Sequence, residues 1–158
     1  MKKIFILVVV MLNVIVCAIP AFAADINSSV IYETSTIMIN EDVSYEYSIV
    51  ANNSRAVTSA TAYGRFFLTS DNTTVATTSL KVYFEYDGSS VEAIDSNASA
   101  SAVESGWSIS FDDTRYDSTG YRATGATTFT LYHDNEFNNS LTAVVYCTQD
   151  GETSTAIN

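Results

Sequence analysis

The feature that most constrains this chain is an alternation of apolar and polar residues with a period of two, repeated along most of its length. Val43, Tyr45, Tyr47 and Ile49 fall on one side of a segment, with Ser44, Glu46 and Ser48 on the other. The pattern returns at Ala60, Ala62, Phe66 and Leu68 against Thr61, Tyr63 and Arg65. It returns again at Leu80, Val82, Phe84 and Tyr86 against Lys81, Tyr83 and Glu85. Successive side chains of an extended chain point to opposite faces, so a period of two means a strand with one buried and one solvated face. No stretch holds a helical period over the length a stable helix needs.

Trp107, Ile109 and Phe111 continue the pattern against Ser108 and Ser110. So do Thr127, Phe129 and Leu131 against Thr128 and Thr130, and then Leu141, Ala143, Val145 and Cys147. Abundant Ser and Thr, ten tyrosines and a single proline, Pro20, agree with strand structure. Asp87-Gly88 between Tyr86 and Val91 is a hairpin signal, read as a type I′ turn with positive φ at both central residues. With an opening strand near Val30 to Ile39, the pattern predicts about eight strands, and an all-β, antiparallel, immunoglobulin-like β-sandwich. Asp95 to Gly106 and Asp112 to Arg122 are read as its two long loops.

The first 23 residues have a different character. Lys2 and Lys3 precede an apolar run from Ile4 to Ile19 that ends in Pro20-Ala21-Phe22-Ala23. A basic start, an apolar middle and small residues before the cut form a signal peptide, and the expected exported chain begins at Ala24 or Asp25. Its 135 residues suffice for one domain, 24–158. Val16 before Cys17 argues against a lipoprotein. Nothing after Asp150 resembles a sorting signal, so the product is expected to be released outside the cell with no stable membrane anchor.

Export also changes the charge and the thiol content. The leader takes two of the seven basic residues and none of the eighteen acidic ones, leaving five against eighteen, a formal charge of −13. Nucleic acid and anionic lipid are therefore excluded as expected partners. Only Cys147 remains, so no internal disulfide can form, and its place in the alternation directs it into the core as an inert apolar group.

Few residues carry chemistry. His133 is the only histidine. Acid–base or metal work needs partners converging on it, whereas Asp134-Asn135 marks a hairpin tip with His133 at the end of a strand. No Gly-x-Ser-x-Gly elbow is present. Gln149 two residues after Cys147 suits an internal thioester poorly on one extended strand, and Lys81, the only lysine of the exported chain, alternates outward rather than toward an isopeptide partner. Asp112, Asp113 and Asp117 offer the hard oxygen ligands that calcium takes outside the cell, with Glu104 as a further donor if the loops meet; their spacing is not that of an EF-hand, and Asp and Ser also simply make turns. Trp107 is read as a core residue or, with Tyr116 and Tyr121, as an aromatic platform for a sugar. Five Asn-x-Ser/Thr matches, beginning at Asn27, follow from a composition so rich in these residues.

The leader, together with Phe84-Glu85-Tyr86-Asp87-Gly88-Ser89-Ser90-Val91, Gly106-Trp107-Ser108-Ile109-Ser110 and Thr128-Phe129-Thr130-Leu131-Tyr132-His133, resembles small secreted β-sandwich proteins of Gram-positive, Clostridium-like bacteria. That resemblance implies a fold and a location, and no site residues. The expected function is a non-enzymatic extracellular or surface binding module for a protein or glycan. A structural domain that pairs through edge strands is the alternative, and a hydrolytic or metal-dependent enzyme would need His133 to meet two acids in a pocket.

Overall fold

Alternation at this density makes strands that bury one face each, and two sheets packed together satisfy them all. The structure, a computed structural model, describes residues 30–53 and 57–158. The expected leader, residues 1–23, lies outside the described residues. Ten strands follow in order: β1 (Val30–Met38), β2 (Val43–Asn53), β3 (Val57–Leu68), β4 (Thr74–Tyr86), β5 (Val91–Ala102), β6 (Trp107–Phe111), β7 (Arg115–Ser118), β8 (Arg122–His133), β9 (Glu136–Thr148) and β10 (Thr153–Ile157).

All pairings are antiparallel. The first sheet runs β1-β2-β3-β4-β5, and the second runs β10-β9-β8-β6, with β7 on the same side of β8 as β6. Each sheet is thus a meander of sequence neighbours. The two antiparallel sheets agree with expectation, whereas the order differs from the interleaved Greek key of an immunoglobulin-like sandwich. Short turns explain the difference, because hairpin after hairpin keeps each new strand beside the last.

Three expectations need correction. The segment read as a loop from Asp95 to Gly106 is strand as far as Ala102, because β5 extends the ladder of β4 and lays Ala98 and Ala100 against the core margin. The second expected loop, Asp112 to Arg122, contains β7. A further strand, β10, follows the one read as last.

The core lies between the sheets. Val43, Tyr45, Phe66, Val82 and Phe84 of the first sheet face Phe129, Leu131, Leu141, Val145 and Cys147 of the second, all essentially inaccessible. Two glycines let large groups cross this layer. A Cβ on Gly64 would overlap the Tyr45 ring, which passes over that strand so that its hydroxyl meets Thr78 Oγ1 at 2.7 Å. A Cβ on Gly125 would stand 2.7 Å from Val82 Cγ2, at a close approach of the sheets. Burial pushes the Tyr45 phenol up to about 12 and the Cys147 thiol up to about 11.

Candidate functional site: a cleft at one end of the sandwich

A pure meander sends alternate turns to opposite ends. The β1–β2, β3–β4, β5–β6 and β8–β9 turns all gather at one end. There they enclose a cleft of about 370 Å³ lined by Glu41, Asp42, Leu68, Thr69, Ser70, Trp107, His133 and Asn138.

Each wall has a local cause. Asn40 Oδ1 accepts from the backbone N–H groups of Asp42 and Val43, which fixes the first turn. Thr69 N–H donates to Asp42 O at 2.8 Å, joining the first and second turns. The Asn40 side-chain amide donates to Asn138 Oδ1 at 3.3 Å, tying the first sheet to the second. Gly106 has a φ of 83°, conformational space that suits a residue without Cβ, and its carbonyl accepts from Asp134 N–H at 2.7 Å. Trp107 thereby starts β6 directly opposite His133 of β8.

These two rings are stacked, with centroids 4.3 Å apart and planes 21° from parallel. His133 Nε2 stands 3.8 Å from Asp134 Oδ2, beyond hydrogen-bond reach. Trp107 is half-buried and packs against the core margin. The cleft therefore combines a stacked aromatic pair, two exposed carboxylates, an amide and two hydroxyls. That set can stack on an apolar ring face while exchanging hydrogen bonds with the polar groups around it.

The remaining sequence candidates lie elsewhere. Tyr116 pairs with Gly125, eight residues along β8 from His133, which at 3.3 Å per residue is about 26 Å from Trp107. Its hydroxyl donates to Ser96 Oγ at 2.7 Å, while Ser118 Oγ donates to Val91 O and Val91 N–H to Gly120 O. Together these bonds sew β7 to β5 and close the seam between the sheets. Tyr121 is 66% exposed, and its carbonyl accepts from Gln149 N–H. The three aromatics do not form one platform.

Asp112, Asp113 and Asp117 are all exposed, and the length of β6 separates Glu104 from Asp112. Among the described residues no three His, Cys, Asp or Glu side chains gather as a metal site. Lys81 points outward over the Tyr83 ring, at 4.6 Å from its centroid.

A larger hollow, about 580 Å³, opens at the opposite end beside Asp87 and Ser90. Much of its polar lining is engaged. Asp87 Oδ1 accepts from the N–H groups and hydroxyls of both Ser89 and Ser90, and these bonds, led by the Ser89 hydroxyl, hold the carboxyl down at about 2.

No local pattern marks Glu41, Asp42, Thr69 or Ser70 in the sequence, and Asn138 stands out there only as one of the five Asn-x-Ser/Thr matches. Each sits in or beside a turn, and only the parity of the meander reveals that these turns share an end. No family model matches the chain, and no curated protein and no solved structure matches it either.

Proposed function

We propose that the chain is an exported, non-enzymatic binding module that takes a glycan in the Trp107 cleft. The observation that carries this reading is the convergence of Trp107, His133, Glu41, Asp42 and Asn138, from both sheets, on one concave surface. Saccharides present apolar ring faces rimmed by hydroxyls, and this cleft has aromatic surface beside acceptors and donors. His133 shares this cleft with two acids, Glu41 and Asp42, the arrangement an enzyme would build on. Its ring is stacked on Trp107, however, and among the described residues no nucleophile is held in hydrogen-bond contact with it, so the lining supports recognition better than turnover.

Trp107 is the only tryptophan, so intrinsic fluorescence reports on the cleft directly. Protein collected from the medium, titrated with a panel of cell-wall and mucin-type oligosaccharides, is expected to show saturable changes in emission. Asp42→Ala and Asn138→Ala should weaken the response at least tenfold without changing the melting temperature by more than a few degrees. A panel without any saturable change overturns the glycan reading.

A second reading, assembly through edge strands, is favoured by a separate observation: among the described residues β1 and β10 each have only one strand neighbour.

A further inference from the structure

The two sheets are not flush. β10 lies against β2 and β3, while the first sheet continues past it by β1, whose extended contact among the described strands is with β2. At this side of the sandwich the first sheet overhangs and the second is recessed, by a little more than one strand. Ile37, Ile39 and Tyr47 are left partly buried along the step.

Among the described residues, both strands bordering the step have an open edge. Asn158 exchanges backbone hydrogen bonds with Thr142, and Thr148 N–H donates to Glu152 O. By antiparallel geometry, Thr153, Thr155 and Ile157 therefore turn their N–H and C=O groups away from β9. In the same way the Ile39–Val43 bond turns those of Thr34, Thr36 and Met38 away from β2. A bulge between Tyr32 and Thr34 carries Glu33 and interrupts the upper part of β1, which leaves Thr34 to Met38 as its regular edge.

Those five residues and the five of β10 contain no charge, proline or lysine, the usual protections of an edge. In a chain of such negative charge, two uncharged segments bordering one step are where a second copy can approach with least repulsion.

We infer that two copies of this chain join across this step, each laying its overhanging β1 along the recessed β10 of the other. The inference deepens the edge-strand reading and rests on it. A two-fold axis between the layers exchanges overhang for recess, so both gaps fill at once and each layer becomes continuous. Counting reversals along the meanders, β1 and β10 run in the same direction, so each new pairing is parallel. The contact is isologous and closes at two copies.

The test is sedimentation velocity on protein collected from the medium, over a concentration series up to about 1 mM in 0.5 M NaCl, which screens the repulsion. The expected result is a monomer–dimer equilibrium. Thr36→Pro and Thr155→Pro each remove an outward N–H without touching a ladder bond, and each should raise the dissociation constant at least tenfold while leaving the circular dichroism spectrum intact. Should either proline variant unfold, Met38→Lys and Ser154→Lys place like charges along the same edges and should act alike. A double variant, Thr36→Cys with Ser154→Cys, whose side chains both lie on the outer face of their sheets, should form a disulfide-linked dimer.

A monomer throughout overturns both this inference and the edge-strand reading. Self-association that survives the β1 or the β10 variants overturns the inference and leaves edge-strand pairing to other segments.

Discussion

At the scale of single residues, the turn after β4 shows how much local chemistry a short sequence carries. Asp87-Gly88 marks the hairpin as expected, but positive φ occurs at Gly88 and not at Asp87 or Ser89. Asp87 N–H donates to Ser90 O, so Gly88 and Ser89 are the central pair, in the type II′ pattern. The shift of one residue has a cause: the Asp87 carboxylate collects four donors from Ser89 and Ser90 and is held outside the tip. Those bonds favour the ionised form, and the folded-state value of about 2 lies below that of an unfolded carboxyl. The stability linked to Asp87 is therefore fully present above about pH 4 and is lost as pH falls toward 2. Urea titrations at pH 5 and pH 2.5 are expected to show this loss, with a smaller difference in Asp87→Asn; an equal difference would refute the assignment.

At the scale of elements, the hairpin joining β8 and β9 holds the type I′ turn. Asp134 and Asn135 have φ of 52° and 67°, and His133 pairs with Glu136 across it. Asn and Asp tolerate this left-handed region and β-branched residues do not. Asn135→Val should cost about 1–2 kcal/mol in chemical denaturation, and Asn135→Gly should cost nothing measurable. Because this turn carries His133 to Trp107, the valine variant should also alter tryptophan emission. The elements differ in legibility for a physical reason. β2, β3, β4, β8 and β9 bury large apolar groups on every second residue, and their alternation is plain. β5 is rich in Ser, Ala, Asn and Asp, and β7 and β10 are only four and five residues long; none shows a plain apolar alternation, and they are strands because a neighbouring ladder offers them hydrogen bonds.

For the whole molecule, charge is distributed unevenly. In the second sheet β6 and β10 carry no formally charged residue, β8 and β9 carry only Arg122 and Glu136 at their ends, and short β7 carries Arg115 and Asp117, whereas every strand of the first sheet carries at least one. Over residues 24–158 the eighteen acidic residues against five basic ones oppose compaction, and among the described residues few ion pairs relieve it. Arg65 with Glu46 is a partly exposed pair of modest value. Raising NaCl from 10 to 300 mM should therefore increase the melting temperature by a few degrees, as screening weakens the repulsion. A decrease would show that specific pairs outweigh the net charge.

The sequence by itself determined the all-β class, the identity of most core residues and the inward placement of Cys147, because the two-residue period of a strand is a local property written directly in the alternation. The tertiary structure decided the meander order, the step between β1 and β10, and the cleft that joins Trp107 and His133 to Glu41, Asp42 and Asn138. Those depend on which strands become neighbours. Contacts such as Asn40 with Asn138, 98 residues apart, exist only after two sheets have packed, and no local pattern encodes them.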